Sequence, residues 1–168
     1  MFNLLEPQVS DWGVAWPALA GIAYLVAMSP ALTTIDLRER RLPNRLVLPA
    51  LPITLAGQGM AAALDASLWS RLAATLIAAV LVLTFALFAN VKGQLGMGDA
   101  KLMTAITLSL GWFSPIAPFV ALLAGFVAAG GFVLVQTARM RTALTQSIPL
   151  GPYLLLGNLI GLASIFVL

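Results

Sequence analysis

The 168-residue sequence contains no cysteine and no histidine, and only 9% of its residues are charged. Without cysteine the chain can form no disulfide and has no thiol nucleophile. Without histidine it has no imidazole metal ligand and no Ser-His-Asp triad. Any chemistry must therefore use carboxylates, hydroxyls, amines or the backbone. We predict no cofactor, and a tightly held transition metal is not expected.

Apolar residues are abundant instead, making up 61% of the sequence with a mean hydropathy of +1.00. A helix needs about 20 mainly apolar residues to cross roughly 30 Å of hydrocarbon. The apolar runs lie near residues 14–35, 46–64, 68–89, 95–113, 116–135 and 150–168. We therefore predict an all-α polytopic membrane protein with about six transmembrane helices, in which residues 1–168 form a single membrane-embedded domain.

Basic residues concentrate in alternate loops between these runs. The first, third and fifth loops hold Arg38, Arg40, Arg41, Arg45, Lys92, Lys101, Arg139 and Arg141. Cytoplasmic loops are enriched in Lys and Arg, so these loops are predicted inside and both termini outside, in the periplasm. The same dispersal explains the net charge of +3 without nucleic acid, which is not a predicted partner. The predicted partner of the surface is the lipid bilayer.

Tryptophan and glycine positions give two further predictions. The four tryptophans fall at predicted outer ends, where indoles favour the membrane-water interface: Trp12, Trp16, Trp69 and Trp112. Gly157 and Gly161 have GxxxG spacing, and several glycines lie in 125–131. Small residues let helices approach closely, so both glycine groups are predicted to be packing surfaces.

Three of the six acidic residues, Asp36, Glu39 and Asp99, fall on the predicted inner side. Two spans separate Asp36 from Asp99, and an even number of crossings returns the chain to the same face. We predict that these two carboxylates meet. Taken singly, Asp36 could be a solvated loop acid and Asp99 a helix N-cap, whereas Glu39 lies among arginines and suits surface ion pairing.

Glycines flank the second aspartate in the string Gly96-Met97-Gly98-Asp99. Residues without Cβ permit unusual backbone dihedrals and let a second backbone, such as an extended peptide, come close. Glycines beside an aspartate are also common in plain turns. An ionisable group near the membrane edge is costly unless it faces a polar cavity or a partner, which favours a functional role for Asp99.

Three segments resemble motifs of type IV prepilin peptidases. The segment from Asp36 to Pro43, with Leu42 and Pro43 six and seven residues after the aspartate, resembles the family's first aspartate motif. The segment from Gly96 to Leu102 resembles the second motif. Residues 148–153 are similar to a Pro-Phe-Gly-Pro stretch that opens the last helix, with Leu150 replacing the usual aromatic residue.

The resemblance implies a GxGD membrane aspartyl protease, an aspartic endopeptidase with Asp36 and Asp99 as its catalytic pair. Its expected substrates are the leaders of type IV, Flp-type, prepilins or pseudopilins, cut at the cytoplasmic face of the bacterial inner membrane. Pilus assembly machinery is a further expected partner. The active-site loops and substrate approach are expected to include Pro43, Asn44, Gly96, Gly98 and Lys101. The alternative interpretation of Lys101 is a membrane-edge anchor.

Larger members of that family carry a cytoplasmic segment with paired cysteines and also methylate the new pilin amino terminus. The sequence lacks cysteine, so the resemblance implies the short, peptidase-only form found in Flp/Tad pilus systems. Two other interpretations remain open. One is an intramembrane protease related to presenilin and signal peptide peptidase. The other is a small transporter or non-catalytic assembly factor in which the aspartates bind a cation or proton.

Overall fold

The computed structural model describes residues 15–140 and 149–167, and every regular element in these residues is helical. The six long helices are α1 (Leu19–Glu39), α2 (Ala50–Leu64), α3 (Trp69–Val91), α4 (Met97–Gly111), α5 (Ala117–Met140) and α6 (Gly151–Ser164). Short helices precede three of them, at Trp16–Ala18, Asn44–Val47 and Ala66–Leu68. Each long helix overlaps one predicted apolar run, and the predicted all-α membrane fold is confirmed.

Four helical segments of the described chain are long and apolar enough to cross a membrane. They are Trp16–Glu39, Asn44–Leu64, Ala66–Val91 and Ala117–Arg139. Helices α4 and α6 are shorter, with 15 and 14 residues. At 1.5 Å per residue α4 covers about 22 Å, less than the hydrocarbon thickness. The count of about six spans and the outside orientation of the termini therefore stay predictions.

Helix α4 is enclosed by the rest of the bundle. It contacts all five other long helices, and residues 102–110 are all buried. Its hydroxyl side chains donate to carbonyls one turn earlier, Thr104 to Ala100 at 2.8 Å and Thr107 to Met103 at 2.9 Å, so their polar atoms are satisfied within the helix. A helix that is apolar on every side belongs in a core, and this one carries the second aspartate motif into the bundle.

Glycines form the seam between α5 and α6, as predicted. A Cβ added at Gly161 would lie 2.6 Å from Ala121 Cβ and 2.7 Å from the Ala117 carbonyl oxygen, and one at Gly125 would lie 3.2 Å from Leu154 Cα. The prediction is wrong for Gly130 and Gly131, where no described atom lies within 4 Å of an added Cβ. Glycine composition marks positions that allow close approach, but the rotation of the helix decides which of them meets a neighbour.

We expect Gly161→Ala to lower the free energy of unfolding by about 1–3 kcal/mol, because the added methyl group would overpack the α5–α6 seam. Gly131→Ala is the matched control. Its Cβ meets open space, and alanine favours a helix by up to about 1 kcal/mol over glycine. Thermal unfolding of both variants in one detergent measures the difference. Equal midpoints would contradict the close packing at Gly161.

The tryptophan prediction stays a prediction at two positions and is wrong at one. Trp16 and Trp69 are 62% and 55% exposed, which suits interfacial anchoring. Trp112 is 1% exposed, and its Nε1 has no hydrogen-bond partner among the described residues. Its indole packs inside the bundle and cannot reach the interface. Trp12 lies outside the described residues.

Candidate functional site

Asp36 lies in the last turn of α1, and its side chain is buried. Arg40 ends this helix in the left-handed conformation, with φ 52°, and its N–H donates to the Asp36 carbonyl oxygen at 2.8 Å. Pro43 then begins the short helix Asn44–Val47. The helix thus stops just beyond the carboxylate, leaving Asp36 inside the bundle at the point where the chain turns.

Asp99 lies in the first turn of α4, three residues after the N-cap Gly96. Its carboxylate lies beside the Gly96 backbone, with Oδ2 2.7 Å from where an added Cβ would be, and the Gly96 N–H lowers its pKa, an arrangement similar to a capping box. The N-cap interpretation of Asp99 is therefore wrong, because Gly96 is the N-cap and Asp99 lies three residues later in the first turn. This contact holds the carboxylate over the start of the helix.

The two aspartates face one cavity of about 690 Å³. Asp36 and Arg40 reach it from the end of α1, and Asp99 reaches it from α4. The remaining walls come from the loop before α4, from α5 and from the start of α6: Gly93, Gln94, Leu95, Gly96, Phe126, Ala129, Gly130, Val133, Pro149 and Leu150. The fold thus brings two acids to one cavity from segments about 60 residues apart in the sequence.

The third motif contributes a hydrogen bond to the first aspartate. The backbone N–H of Gly151, at the start of α6, donates to Asp36 Oδ2 at 3.0 Å. This N–H is one of the first in its helix and lacks an acceptor inside it. Sequence reasoning did not place Gly151 in the site. The signal was its position between Pro149 and Pro152 in the third motif.

Three glycines at the site leave no room for a side chain. An added Cβ would lie 2.7 Å from Asp99 Oδ2 at Gly96, 2.8 Å from Leu42 Cβ at Gly98, and 2.7 Å from Asp36 Oδ2 at Gly151. The Gly151 position also lies 3.1 Å from Leu42 Cδ2. Leu42, from the first motif, thus packs between the second and third motifs. Sequence reasoning missed this role.

Four other predicted site residues are not among the described residues that line the cavity: Pro43, Asn44, Gly98 and Lys101. Lys101 Nζ donates to Asn44 Oδ1 at 2.9 Å at an exposed position. Pro43 precedes this contact, and its carbonyl accepts the N–H groups of Leu46 and Val47 at 3.0 and 3.2 Å. Lys101, Asn44 and Pro43 therefore brace the loop after Asp36 against α4. Gly96 lines the cavity, whereas Gly98 packs against Leu42.

The electrostatics of the site follow from burial and like charge. Asp99 begins α4, which is not one of the four membrane-length segments. Burial raises its pKa, the nearby charge of Asp36 raises it further, and the Gly96 hydrogen bond lowers it in part, giving a pKa of about 6. A carboxyl group with this pKa keeps its proton in about one molecule in ten at pH 7, far more often than an ordinary aspartic acid, and can therefore act as a general acid.

Metal ligands are scarce around the cavity. Within residues 15–140 and 149–167, no group of three or more carboxylates is placed to hold a metal ion. The expectation that no cofactor is needed stays a prediction.

A family profile described as Type IV leader peptidase family matches residues 22–134. The Prepilin leader peptidase/N-methyltransferase of Burkholderia pseudomallei (strain K96243) is 33% identical over 157 residues, covering 92% of this chain and 48% of that protein. Proteins of the same name from Aeromonas salmonicida (strain A449) and Stutzerimonas stutzeri are 31% identical, covering 88% and 95% of this chain. These alignments cover 50% and 55% of the two proteins, so the chain spans about half the length of these relatives. No solved structure matches it.

Proposed function

Because the chain belongs to the type IV leader peptidase family, we propose that it is a membrane aspartyl endopeptidase that removes the leader from prepilin or pseudopilin precursors. The observation that carries the proposal is the pair Asp36 and Asp99, which come from separate helices and face one cavity. Flp-type prepilins are its proposed substrates. For this chain we propose only the peptidase step, without methylation of the pilin.

In the proposed mechanism the two carboxylates share one proton. Asp99 begins protonated, a form that its raised pKa of about 6 makes more populated than in an ordinary aspartic acid, and Asp36 begins ionised, with the Gly151 N–H bonded to its Oδ2. Asp36 takes a proton from water as the water oxygen bonds to the scissile carbonyl carbon. Asp99 donates its proton to the carbonyl oxygen. When the C–N bond breaks, Asp36 gives its proton to the leaving amine and Asp99 takes a proton back from a hydroxyl of the tetrahedral diol, which restores the pair.

The cavity wall suits an extended peptide. A helical peptide hides its carbonyls in hydrogen bonds, so the cut site must be unwound before water can attack it. Gly93, Gly96 and Gly130 line the cavity and present no side chains, which leaves space for a second backbone. Phe126, Ala129 and Val133 supply an apolar wall on α5 that suits the membrane helix following the leader.

The proposed location is the bacterial inner membrane, with the active site facing the cytoplasm. Arg38, Arg40, Arg41 and Arg45 lie at or after the end of α1, and Lys92 lies just before the second aspartate motif. Both aspartates therefore share a side with the basic loops, and such loops are retained in the cytoplasm.

The proposed function is tested by reconstituting the protein in liposomes with a Flp-type prepilin and following the precursor mass. A peptidase shortens the precursor by its leader at one bond, whereas a transporter or an assembly factor leaves the precursor intact. Cleavage within the apolar helix, rather than before it, would instead favour the presenilin-like activity. A panel of prepilins and pseudopilins that all stay intact would reject the proposal.

The reaction should also depend on pH. We expect kcat/KM for leader removal to fall about tenfold per pH unit above a pKa of about 6, because the proton that Asp99 donates is present below that pKa and lost above it. Cleavage rates in liposomes between about pH 5 and pH 9 measure this limb. A flat profile across that range would contradict the assignment of Asp99 as the acid.

A further inference from the structure

The peptide group between Leu95 and Gly96 meets a polar side chain at each end. Asn90 Nδ2 donates to its carbonyl oxygen, that of Leu95, at 2.7 Å. At the other end Asp99 Oδ2 lies 2.7 Å from where a Cβ added at Gly96 would be, and the Gly96 N–H lowers the pKa of the Asp99 carboxyl group. Asn90 lies in the last turn of α3. A single peptide group therefore links the end of α3 to a carboxylate of the proposed catalytic pair.

The turn at the end of α3 produces this arrangement. Gly93 takes the left-handed conformation, with φ 71°, and its N–H donates to the Asn90 carbonyl oxygen at 2.8 Å. The N–H of Gln94 donates to the Ala89 carbonyl oxygen at 3.0 Å. These two bonds form a Schellman motif, which reverses the chain. The reversal returns Leu95 to the end of the helix, where its carbonyl meets the Asn90 side chain.

Hydrogen bonds in a chain strengthen one another. An amide whose oxygen accepts a bond becomes more polarised, and its N–H becomes a better donor. The donation from Asn90 therefore strengthens the interaction of the Gly96 N–H with Asp99 and also restrains the peptide plane that carries the N–H. Both effects favour one orientation of the Asp99 carboxylate and its ionised form.

We propose that Asn90 is a positioning residue for Asp99, acting through the Leu95–Gly96 peptide group. It sets the direction of the carboxylate toward the cavity and how firmly that carboxylate holds its proton. The inference rests on the proposed function, because it takes Asp99 as the proton donor. Nothing in the Asn90 side chain touches the reacting atoms in this scheme.

The charges around Asp99 stay constant when Asn90 is changed. Among the described residues, the other charged side chains that line the cavity are Asp36 and Arg40, both from the end of α1. On α4 itself, Lys101 donates to Asn44. On α3, the Lys92 Nζ lies 4.4 Å from the centre of the Phe88 ring. A neutral substitution at Asn90 therefore isolates the link through the peptide group.

Asn90→Leu keeps the size of the side chain and removes its donor. We expect kcat for leader removal to fall roughly three- to tenfold with KM unchanged. The high-pH limb of kcat/KM should move upward by up to about half a pH unit, because the ionised form of Asp99 loses part of its stabilisation. Thr84→Val is the matched control. It removes another side-chain bond to a carbonyl on α3, from Thr84 to Val80, away from the loop.

A second measurement does not depend on peptidase activity. In glycine-labelled protein, the amide resonance of Gly96 should titrate with Asp99, and Asn90→Leu should raise the midpoint of that titration. Asn90→Ala gives the same test and suits a helix if the leucine variant accumulates poorly. A purely structural role would lower thermal stability and leave the midpoint in place.

The outcomes separate this inference from the proposed function. An upward shift of the Gly96 midpoint, with the cleavage limb moving in step and Thr84→Val unchanged, is the expected result. Unchanged midpoints in Asn90→Leu and Asn90→Ala would overturn the inference while leaving the peptidase intact. Wild-type protein that cleaves no precursor would reject the peptidase, and the amide titration would still decide whether Asn90 acts on Asp99.

Discussion

Replacing Asp36 or Asp99 with Asn lowers kcat for leader removal by at least about a thousandfold. Asn has the shape of Asp but cannot exchange a proton with water, carbonyl or leaving amine. In the proposed mechanism each aspartate acts in both halves of the reaction, so neither can substitute for the other. The measurement is precursor mass after co-expression with a Flp-type prepilin, at equal membrane abundance of each variant.

Glu39→Gln is the matched control for this pair. Glu39 is the third acid of the predicted inner side, lies three residues after Asp36 and is exposed. The Glu39→Gln variant should cleave the precursor as the wild type does, since Glu39 is not among the described residues that line the cavity. Insertion of both Asn variants should be normal, because removing a charge from a buried site does not add to the cost of burial. Full activity in either Asn variant would contradict the two-aspartate mechanism.

Replacing Gly151 with Ala lowers kcat by about a hundredfold, the cost expected for displacing a reacting group by roughly 1 Å. The new Cβ would lie 2.7 Å from Asp36 Oδ2, so either the carboxylate or the start of α6 must move. Either shift lengthens the 3.0 Å bond from the Gly151 N–H. Kinetics at saturating precursor separate this loss in kcat from a change in KM.

Gly59→Ala is the control for the glycine change. Gly59 also lies within a helix, α2, and no described atom lies within 4 Å of its added Cβ. It should leave cleavage unchanged. If Gly151→Ala cleaved as fast as Gly59→Ala, the third motif would serve only to start α6, and the bond to Asp36 would have no part in positioning it.

The three motifs interlock through Leu42. This leucine lies against the backbone at Gly98 on one side and at Gly151 on the other. Asp36 then accepts a hydrogen bond from the Gly151 N–H, and the Asp99 carboxylate lies beside the Gly96 backbone. The glycines of the second and third motifs therefore have a packing role as well as the proposed role in admitting a peptide. Segments far apart in the sequence hold one pair of acids.

The sequence by itself determined the helices and the choice of aspartates. Apolar runs and their polar breaks are local properties, so α1 to α6 follow from hydropathy. The parity of crossings between Asp36 and Asp99 follows from the same runs, which is why the pair could be predicted before any contact was known. Motif resemblance supplied the family, and the profile match over residues 22–134 shows it.

Only the tertiary structure decided which side chains meet. Hydropathy cannot distinguish lipid from a neighbouring helix, since both are apolar, and this is why Trp112 was predicted at the interface but lies buried. The bond from Gly151 to Asp36 joins residues 115 apart, and its geometry depends on the rotation and depth of two helices. Each residue turns a helix by about 100°, so the side chains that face a neighbouring helix depend on how the two helices are rotated and how deep they lie. Sequence spacing therefore cannot show that Leu42 lies between two glycines, or that Asn90 bonds to the peptide group beside Asp99.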